Sequence, residues 1–300
     1  MNDIYGILND GLKIPKEIRS YIRHFKIVDT LLYFESTIGS GNHRLYLPVG
    51  DIGKEIIFNC HNSIVGGHFG FFITYELLAR KYYFRNMMKI VKRYTTSCHI
   101  WQTTKTSTVL PNGLLMPLPV PKQGWEQLSL DFILPLPETE AGFNAVLVVI
   151  DRLTKRAHFI PTKNEVTGEM AAHLFLENVV KLHGMPKVLV SDRDPRFTSS
   201  FWRVIHLKLR TKFDFSTAYD AQTDGQRERV NKVLDQLFRS YCSENLYSWD
   251  KFLSMFEFAD NSFYQATIMM SPFYADLGHN PRHPGHISTW LSDLSNSRAE

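Results

Sequence analysis

The segment 106–121 carries Pro111, Pro117, Pro119 and Pro121 and shows neither a helical nor a strand period. Each proline fixes φ and removes a backbone donor, so the segment reads as an extended, polyproline-like linker. A chain interrupted in this way folds as separate units on either side. Its 300 residues agree with about two domains, and 44% hydrophobic residues supply apolar surface for a core in each.

On the N-terminal side, residues 1–50 begin polar and helix-like and then carry two strand-like runs, 28–34 and 44–48. The Gly/Ser/Asn segment 36–42 between them predicts a β-hairpin. Residues 51–105 follow a helical pattern punctuated by Gly66, Gly67 and Gly70, which predicts a small helical module. Beyond the linker, 128–133, 145–151 and 158–161 read as three successive strands. An amphipathic helix over 169–183 follows, then a strand over 187–190, a helix near 201–209, a strand over 213–217 and a helix opening at Gln226. This order predicts an α/β unit over 122–284, a mixed five-stranded sheet with flanking helices. A last helix over 249–263 is expected to bury Phe252, Met255, Phe256 and Ala259, before a polar tail at 285–300.

Three carboxylates stand in distinctive positions of that pattern. Asp131 lies in Trp125-Glu-Gln-Leu-Ser-Leu-Asp-Phe-Ile133, whose alternation of apolar and polar residues is that of a half-buried strand. Asp192 closes the apolar, β-branched run Pro186-Lys-Val-Leu-Val-Ser-Asp192, so it sits where a buried strand enters a loop. Glu228 opens a helix whose Val230, Leu234, Leu237 and Tyr241 recur at helical spacing, with Thr223 or Asp224 as its cap. Taken singly, Asp192 is the residue type that caps a turn, and Glu228 is placed to pair with Lys232 one turn on. Asp151 and Asp194 are neighbouring carboxylates that the pattern does not assign.

The stretches Val190-Ser-Asp-Arg-Asp-Pro-Arg-Phe-Thr-Ser-Ser-Phe-Trp202, Phe215-Ser-Thr-Ala-Tyr219 and Gln222-Thr-Asp-Gly-Gln-Arg-Glu-Arg-Val-Asn231 resemble the integrase of gypsy-type LTR retrotransposons, and the likeness runs from about His61 to Pro281. The resemblance implies a ribonuclease H-like fold and a catalytic, metal-binding triad of Asp131, Asp192 and Glu228. It also implies a polynucleotidyl transferase using two Mg²⁺ or Mn²⁺ ions, Asp131 bridging both and the other two carboxylates holding one each. Such an enzyme trims a 3′ end of the element's DNA with water and then uses the freed hydroxyl to attack target DNA. Hard cations prefer carboxylate oxygens, which suits these residue types. The implied partners are double-stranded DNA, both element ends and target, and further copies of the chain. The implied compartment is the nucleus, after synthesis in the cytoplasm.

The same resemblance places His61, His68 and Cys98 in an N-terminal zinc site of the pattern His, six residues, His, 29 residues, Cys, two residues, Cys. The fourth position is Trp101, whose indole offers no lone pair to a metal. His99 and Cys60 are the nearby donors that could replace it. A module without metal remains an alternative, folding on Leu77, Tyr82, Tyr83, Phe84, Val91 and Tyr94. Other departures from the family pattern are Asp220-Ala221 for a usual His-Pro, Arg210 for a common Gly, and Met269 for a frequent Gly ahead of Met-Ser-Pro-Phe. The segment is expected to be a piece of a longer polyprotein or a stand-alone gene derived from one.

Charge agrees with an anionic partner through its distribution more than its total. The net balance is +4, but no Asp or Glu occurs between Leu77 and Lys105, where Lys89, Lys92 and Arg93 share one helical face, the pattern of a phosphate-contacting surface or of a solvated one. Arg227 and Lys232, beside Glu228, complete the expected DNA-binding set. Cys60, Cys98 and Cys242 are too few and too scattered for a disulfide framework, so an intracellular protein is expected. No apolar run nears the roughly 18 residues of a membrane span. The rival readings are a non-catalytic DNA-binding or oligomerising relative with the same fold, and a ribonuclease H-type nuclease acting on RNA. The zinc-like module and the segment Gln222-Thr-Asp-Gly-Gln226 argue against the nuclease.

Overall fold

The computed structural model describes residues 22–35, 43–47, 51–104, 121–191, 195–197, 201, 204–205, 221–242 and 246–283, the side chains of 195, 221–228 and 246 excepted. Two compact units result, one built chiefly from residues up to Thr103 and the other from Thr104–Pro281. Most of the proline-rich segment, the polar N-terminus, the tail, the expected strand 213–217, Arg210, Asp220, Asp192 and Asp194 lie outside the described residues.

The first unit contains β1 (Phe25–Val28), β2 (Leu31–Glu35), β3 (His43–Tyr46), α1 (Asp51–His61), α2 (Phe71–Ala79), β4 (Tyr82–Tyr83), α3 (Met87–Thr96) and α4 (His99–Thr104). The expected hairpin is the antiparallel pair β2 and β3, with Tyr33 opposite Leu45. The run 28–34, read as one strand, is instead split. Asp29 (φ 47) and Thr30 (φ 63) both adopt left-handed backbone, the requirement of a tight two-residue turn matching the twist of its strands. That turn folds β1 back onto β2. Strand β4, from the helical segment, pairs in parallel with β3 through Leu45 and Tyr82. The hairpin and the helices expected as separate regions divided at residue 50 therefore share one sheet, and Leu45, Leu47, Ile56, Leu78, Tyr82 and Val91 share one core.

The second unit contains β5 (Gln127–Ile133), β6 (Ala145–Asp151), β7 (Ala157–Thr162), α5 (Gly168–Phe175), β8 (Val188–Ser191), α6 (Ala221–Tyr241), α7 (Leu253–Ser262) and α8 (Pro272–Leu277). Helix α5 continues through a π-helical turn, Leu176–Val180, to His183. The sheet order is β7-β6-β5-β8; β6 is antiparallel to both its neighbours and β8 runs parallel to β5. This is the mixed sheet of the ribonuclease H-like fold. All seven residues of β6 are buried, as a central strand covered on both faces demands. On one face Leu130, Leu147, Val149 and Ile160 pack with Ala171, Phe175 and Val179 of the α5 region and with Phe201 and Ile205.

Two helices differ from expectation in detail. Helix α6 begins at Ala221, so Thr223 and Asp224 lie inside its first turn and neither is the cap. Its buried stripe is the expected Val230, Leu234 and Leu237. In α7, Phe256 and Ala259 are buried as expected, but Leu253 takes the inward place assigned to Met255, which is 47% exposed. A turn of 3₁₀-helix (Leu246–Phe252) precedes α7. The inward polar residues of α7 satisfy the outer edge of β7: Asn261 both accepts from Ala157 N and donates to Ala157 O at 2.8 Å, and Glu257 accepts from Phe159 N at 2.8 Å. A sheet edge that would otherwise offer unpaired amides is thereby closed.

Candidate metal centres

In the first unit, His61, His68 and Cys98 come together, each offering a donor atom within 4.8 Å of the others. His61 ends α1, His68 follows the turn that reverses the chain toward α2, and Cys98 lies between α3 and α4. The turn is set by left-handed backbone at Gly67 (φ 65) and His68 (φ 47). A Cβ on Gly66 would lie 2.7 Å from the carbonyl oxygen of Cys60, so only glycine lets the chain pass there.

The tautomer of His61 follows from its neighbours. The Thr74 hydroxyl donates to Phe69 O at 3.1 Å, so it accepts from His61 Nδ1 at 3.1 Å. The His61 Nε2 lone pair is then free, and this atom is buried without a hydrogen-bond partner, a costly state unless something else binds it. His68 Nδ1 lies 3.4 Å from Cys98 Sγ, close to the roughly 3.5 Å that two tetrahedral zinc ligands with Zn–N near 2.0 Å and Zn–S near 2.3 Å would show. Burial, with a smaller contribution from His68, holds His61 down at about 4, and burial lowers His68 as well. Both rings are thus in the neutral form that ligates metal. The donor set fits zinc.

Neither expected substitute for the fourth ligand joins the cluster among the described residues. Cys60 faces the core, where burial pushes its thiol up to about 12, and His99 is exposed. The Trp101 indole instead lies over Gly70, where an added Cβ would stand 3.2 Å from Nε1. Thr74, which orients His61, had no signal in the sequence; it becomes visible only when α2 packs on α1.

In the second unit, Asp131 lies near the middle of β5, opposite Val148, and is half-buried. Strand β8 ends at Ser191, paired with Leu130. Asp192 itself is outside the described residues. Asp131 Oδ1 accepts from Phe132 N at 2.9 Å, and Oδ2 accepts from Asn231 Nδ2 at 3.2 Å. Asn231 belongs to α6, and position 228 is on the same helix one turn earlier. One side-chain bond thus ties Asp131 of β5 to α6, the helix on which position 228 lies.

Asn231 closes the motif Gln222–Asn231, and its spacing of three from Glu228 is the sequence signal that marks it. Its Oδ1 is buried without a hydrogen-bond partner. The Asp131 carboxylate and the unpartnered amide oxygen of Asn231 are hard donors, which fit a divalent cation or its bound water. Arg229, next to Glu228, donates to the fully buried Asp260 of α7 at 3.2 Å, tying the helix down. Burial raises the Asp260 carboxyl, and Arg229 opposes that rise. Asp151, left unassigned, caps a turn by accepting from Thr154 N at 3.0 Å and the Thr154 hydroxyl at 2.6 Å.

The basic residues Lys89, Lys92 and Arg93 are exposed on α3, opposite buried Met87, Val91 and Thr95. Lys232 is half-buried on α6, and the Arg227 side chain is outside the described residues.

Comparison with known proteins finds relatives over most of the chain. The family profile of the integrase zinc-binding domain matches residues 51–107. The Tf2-3 and Tf2-4 transposon polyproteins of Schizosaccharomyces pombe are each 34% identical over 220 residues, which is 73% of this chain. The chain spans only 16% of the length of these polyproteins. Among solved structures, a simian T-cell lymphotropic virus intasome in complex with a PP2A regulatory subunit matches at 20% identity, covering 65% of this chain and 68% of that one, with a TM-score of 0.44. The HTLV-2 integrase catalytic core domain in complex with magnesium matches at 17% identity, covering 51% and 96%, with a TM-score of 0.39.

A zinc-type module preceding a ribonuclease H-like unit with a strand carboxylate at its centre defines the integrase class. Residues 51–107 match the integrase zinc-binding family, and the chain is similar to LTR retrotransposon polyproteins over most of its length. The matched profile over residues 51–107 is that of a zinc-binding domain. No helix among the described residues is long and apolar enough to cross a membrane.

Proposed function

We propose that this chain carries out DNA integration: metal-dependent trimming of the element's 3′ ends and transfer of those ends into genomic DNA, in the nucleus. The observation that carries the reading is the junction of β5, the end of β8 and α6, where Asn231 holds Asp131 one helical turn from position 228. Asp131, Asp192 and Glu228 would hold the Mg²⁺ or Mn²⁺ ions, which supply activation of the attacking oxygen and charge stabilisation at the leaving oxygen. Phe132 N and Asn231 Nδ2 keep the Asp131 carboxylate in one orientation, and Arg229 anchors the helix that carries Glu228. In the first unit His61, His68 and Cys98 would hold Zn²⁺, a structural role that ties α1 to the junction of α3 and α4. Lys89, Lys92, Arg93, Arg227 and Lys232 are assigned to phosphate contacts. Such contacts position DNA without reading its sequence. The acting species is a multimer of this chain on two element ends and a target duplex.

The test is a strand-transfer reaction with short duplexes carrying element ends, in Mg²⁺ or Mn²⁺, comparing the native chain with Asp192→Asn. Product from the native chain and none from the variant is expected. A folded native chain that binds DNA but yields no product would favour the non-catalytic relative.

A further inference from the structure

We propose that the metal centre of the first unit is an open one: His61, His68 and Cys98 supply three ligands, and the fourth is an exchangeable small donor, best a thiolate. Three observations carry this. His61 Nε2 is a buried, unpartnered donor whose tautomer Thr74 already dictates. His68 Nδ1 and Cys98 Sγ stand at a separation suited to one metal. Among the described residues no further His, Cys, Asp or Glu completes the cluster.

Position 101 is where a fourth protein ligand would be spaced, three residues after Cys98 at the start of α4. Its indole nitrogen carries a hydrogen and no available lone pair. The ring packs against Gly70, two residues after His68, in contact that a side chain at 70 would crowd. Trp101 therefore adds a wall near the cluster and contributes no donor. Structural zinc sites are closed by four protein ligands, whereas an open position takes water or another small ligand.

Charge selects the class of that ligand. Zn²⁺ with two neutral imidazoles and one thiolate carries a net single positive charge. Left in a largely buried pocket, such a charge is costly. A monoanionic donor neutralises it, and a soft thiolate suits the metal better than a carboxylate. On binding, a free thiol passes its proton to solvent and its sulfur displaces water from the metal. No oxidation or reduction occurs. The ring walls of Tyr94, against His61, and Trp101 near the site favour a compact ligand.

The experiment is cobalt substitution of the whole chain, purified without thiols and kept reduced with a phosphine. Co²⁺ is added and the visible spectrum recorded before and after titration with 2-mercaptoethanol. The native chain is expected to show a thiolate-to-cobalt charge-transfer band that Cys98→Ala removes. Its ligand-field bands should shift with saturation as the external thiol binds. Trp101→Cys should bind Co²⁺ roughly tenfold or more tightly and lose the response to thiol. The native spectrum alone decides the matter if that variant fails to fold. A cobalt spectrum unmoved by thiol would mean that a protein group already closes the site, and absence of the Cys98-dependent band would mean that the three residues do not act together. Either result overturns the proposal. Neither bears on strand transfer, so it stands or falls apart from the enzymatic reading.

Discussion

The two metal centres are assembled in different ways. The three donors of the first unit are brought together by burial: His61 and His68 sit within the packing of α1 and α2, and the site's polar support, Thr74 bonded to Phe69 O, is local. In the second unit the expected ligands come from elements far apart in sequence, and among the described residues the link between those elements is one side-chain bond, Asn231 to Asp131. A preformed pocket tolerates the loss of a ligand, as Trp101 illustrates, because packing still holds the other donors. An assembled site depends on whatever keeps its elements in place.

That contrast predicts its largest effect at Arg229. Replacing it with Ala leaves the fully buried Asp260 without its charge partner, and breaking such a pair costs about 3 kcal/mol or more. Thermal unfolding of the second unit should fall accordingly while cobalt binding by the first is unchanged. Arg229→Ala combined with Asp260→Asn should recover part of the loss. If cobalt binding failed along with the core, the two centres would not be independent.

A smaller effect is expected at Asn231. Asn231→Ala frees Asp131 Oδ2 from its orienting bond, and losing a partner of this kind typically costs roughly tenfold or more in metal affinity or activity. The metal concentration for half-maximal strand transfer should rise while the unfolding midpoint stays close to native. An unchanged metal dependence would show that Asn231 does not orient the carboxylate.

Met269 tests the same distinction at the backbone. It departs from a glycine frequent in the family and adopts a left-handed φ of 54 with a 76% exposed side chain. Met269→Gly should stabilise the second unit by about 1 kcal/mol through relief of that conformation, with neither metal centre affected. A lower unfolding midpoint would point to contacts of the methionine itself.

A pH dependence is also expected in the second unit. His183 stacks on Trp125 at 3.3 Å between ring centroids and faces His158, which in turn donates to Glu257; Arg156 and Asp276 lie nearby. Burial, then the charges of His158 and Arg156, lowers His183 from 6.5 to about 4, with Asp276 opposing. The unfolded chain therefore binds this proton first. The contribution to stability is whole above about pH 6.5 and is lost as the pH falls toward 4. Urea midpoints measured at pH 7 and pH 5 should separate in the native chain and converge in His183→Gln. A separation unaltered by that change would assign the dependence to other groups.

Much of this arrangement was legible in the sequence because period and composition report burial. The alternation around Asp131 and the apolar run before Asp192 correspond to β5 and β8, and the stripe Val230, Leu234 and Leu237 to the inner face of α6. Three things were not legible, each for a physical reason. The turn at Asp29 and Thr30 lacks the glycine that usually marks left-handed backbone, so a hairpin was read as one strand. The exchange of Met255 for Leu253 reflects the 3₁₀ turn ahead of α7, which rotates the helix face. The bonds of Thr74, Asn231 and Asp260 join residues distant in the chain or on different elements, and no local pattern encodes such pairs.

The central claim is that the carboxylates on β5, just beyond β8 and on α6 hold divalent metal as one set. The most direct test titrates Mn²⁺ into the zinc-loaded chain, following the free-ion electron paramagnetic resonance signal, for the native protein and for Asp131→Asn, Asp192→Asn and Glu228→Gln. The account predicts that each substitution weakens Mn²⁺ binding at least roughly tenfold while the unfolding midpoint is retained or raised, since removing one of several clustered negative charges relieves repulsion. Native Mn²⁺ affinity in any one of the three would contradict it.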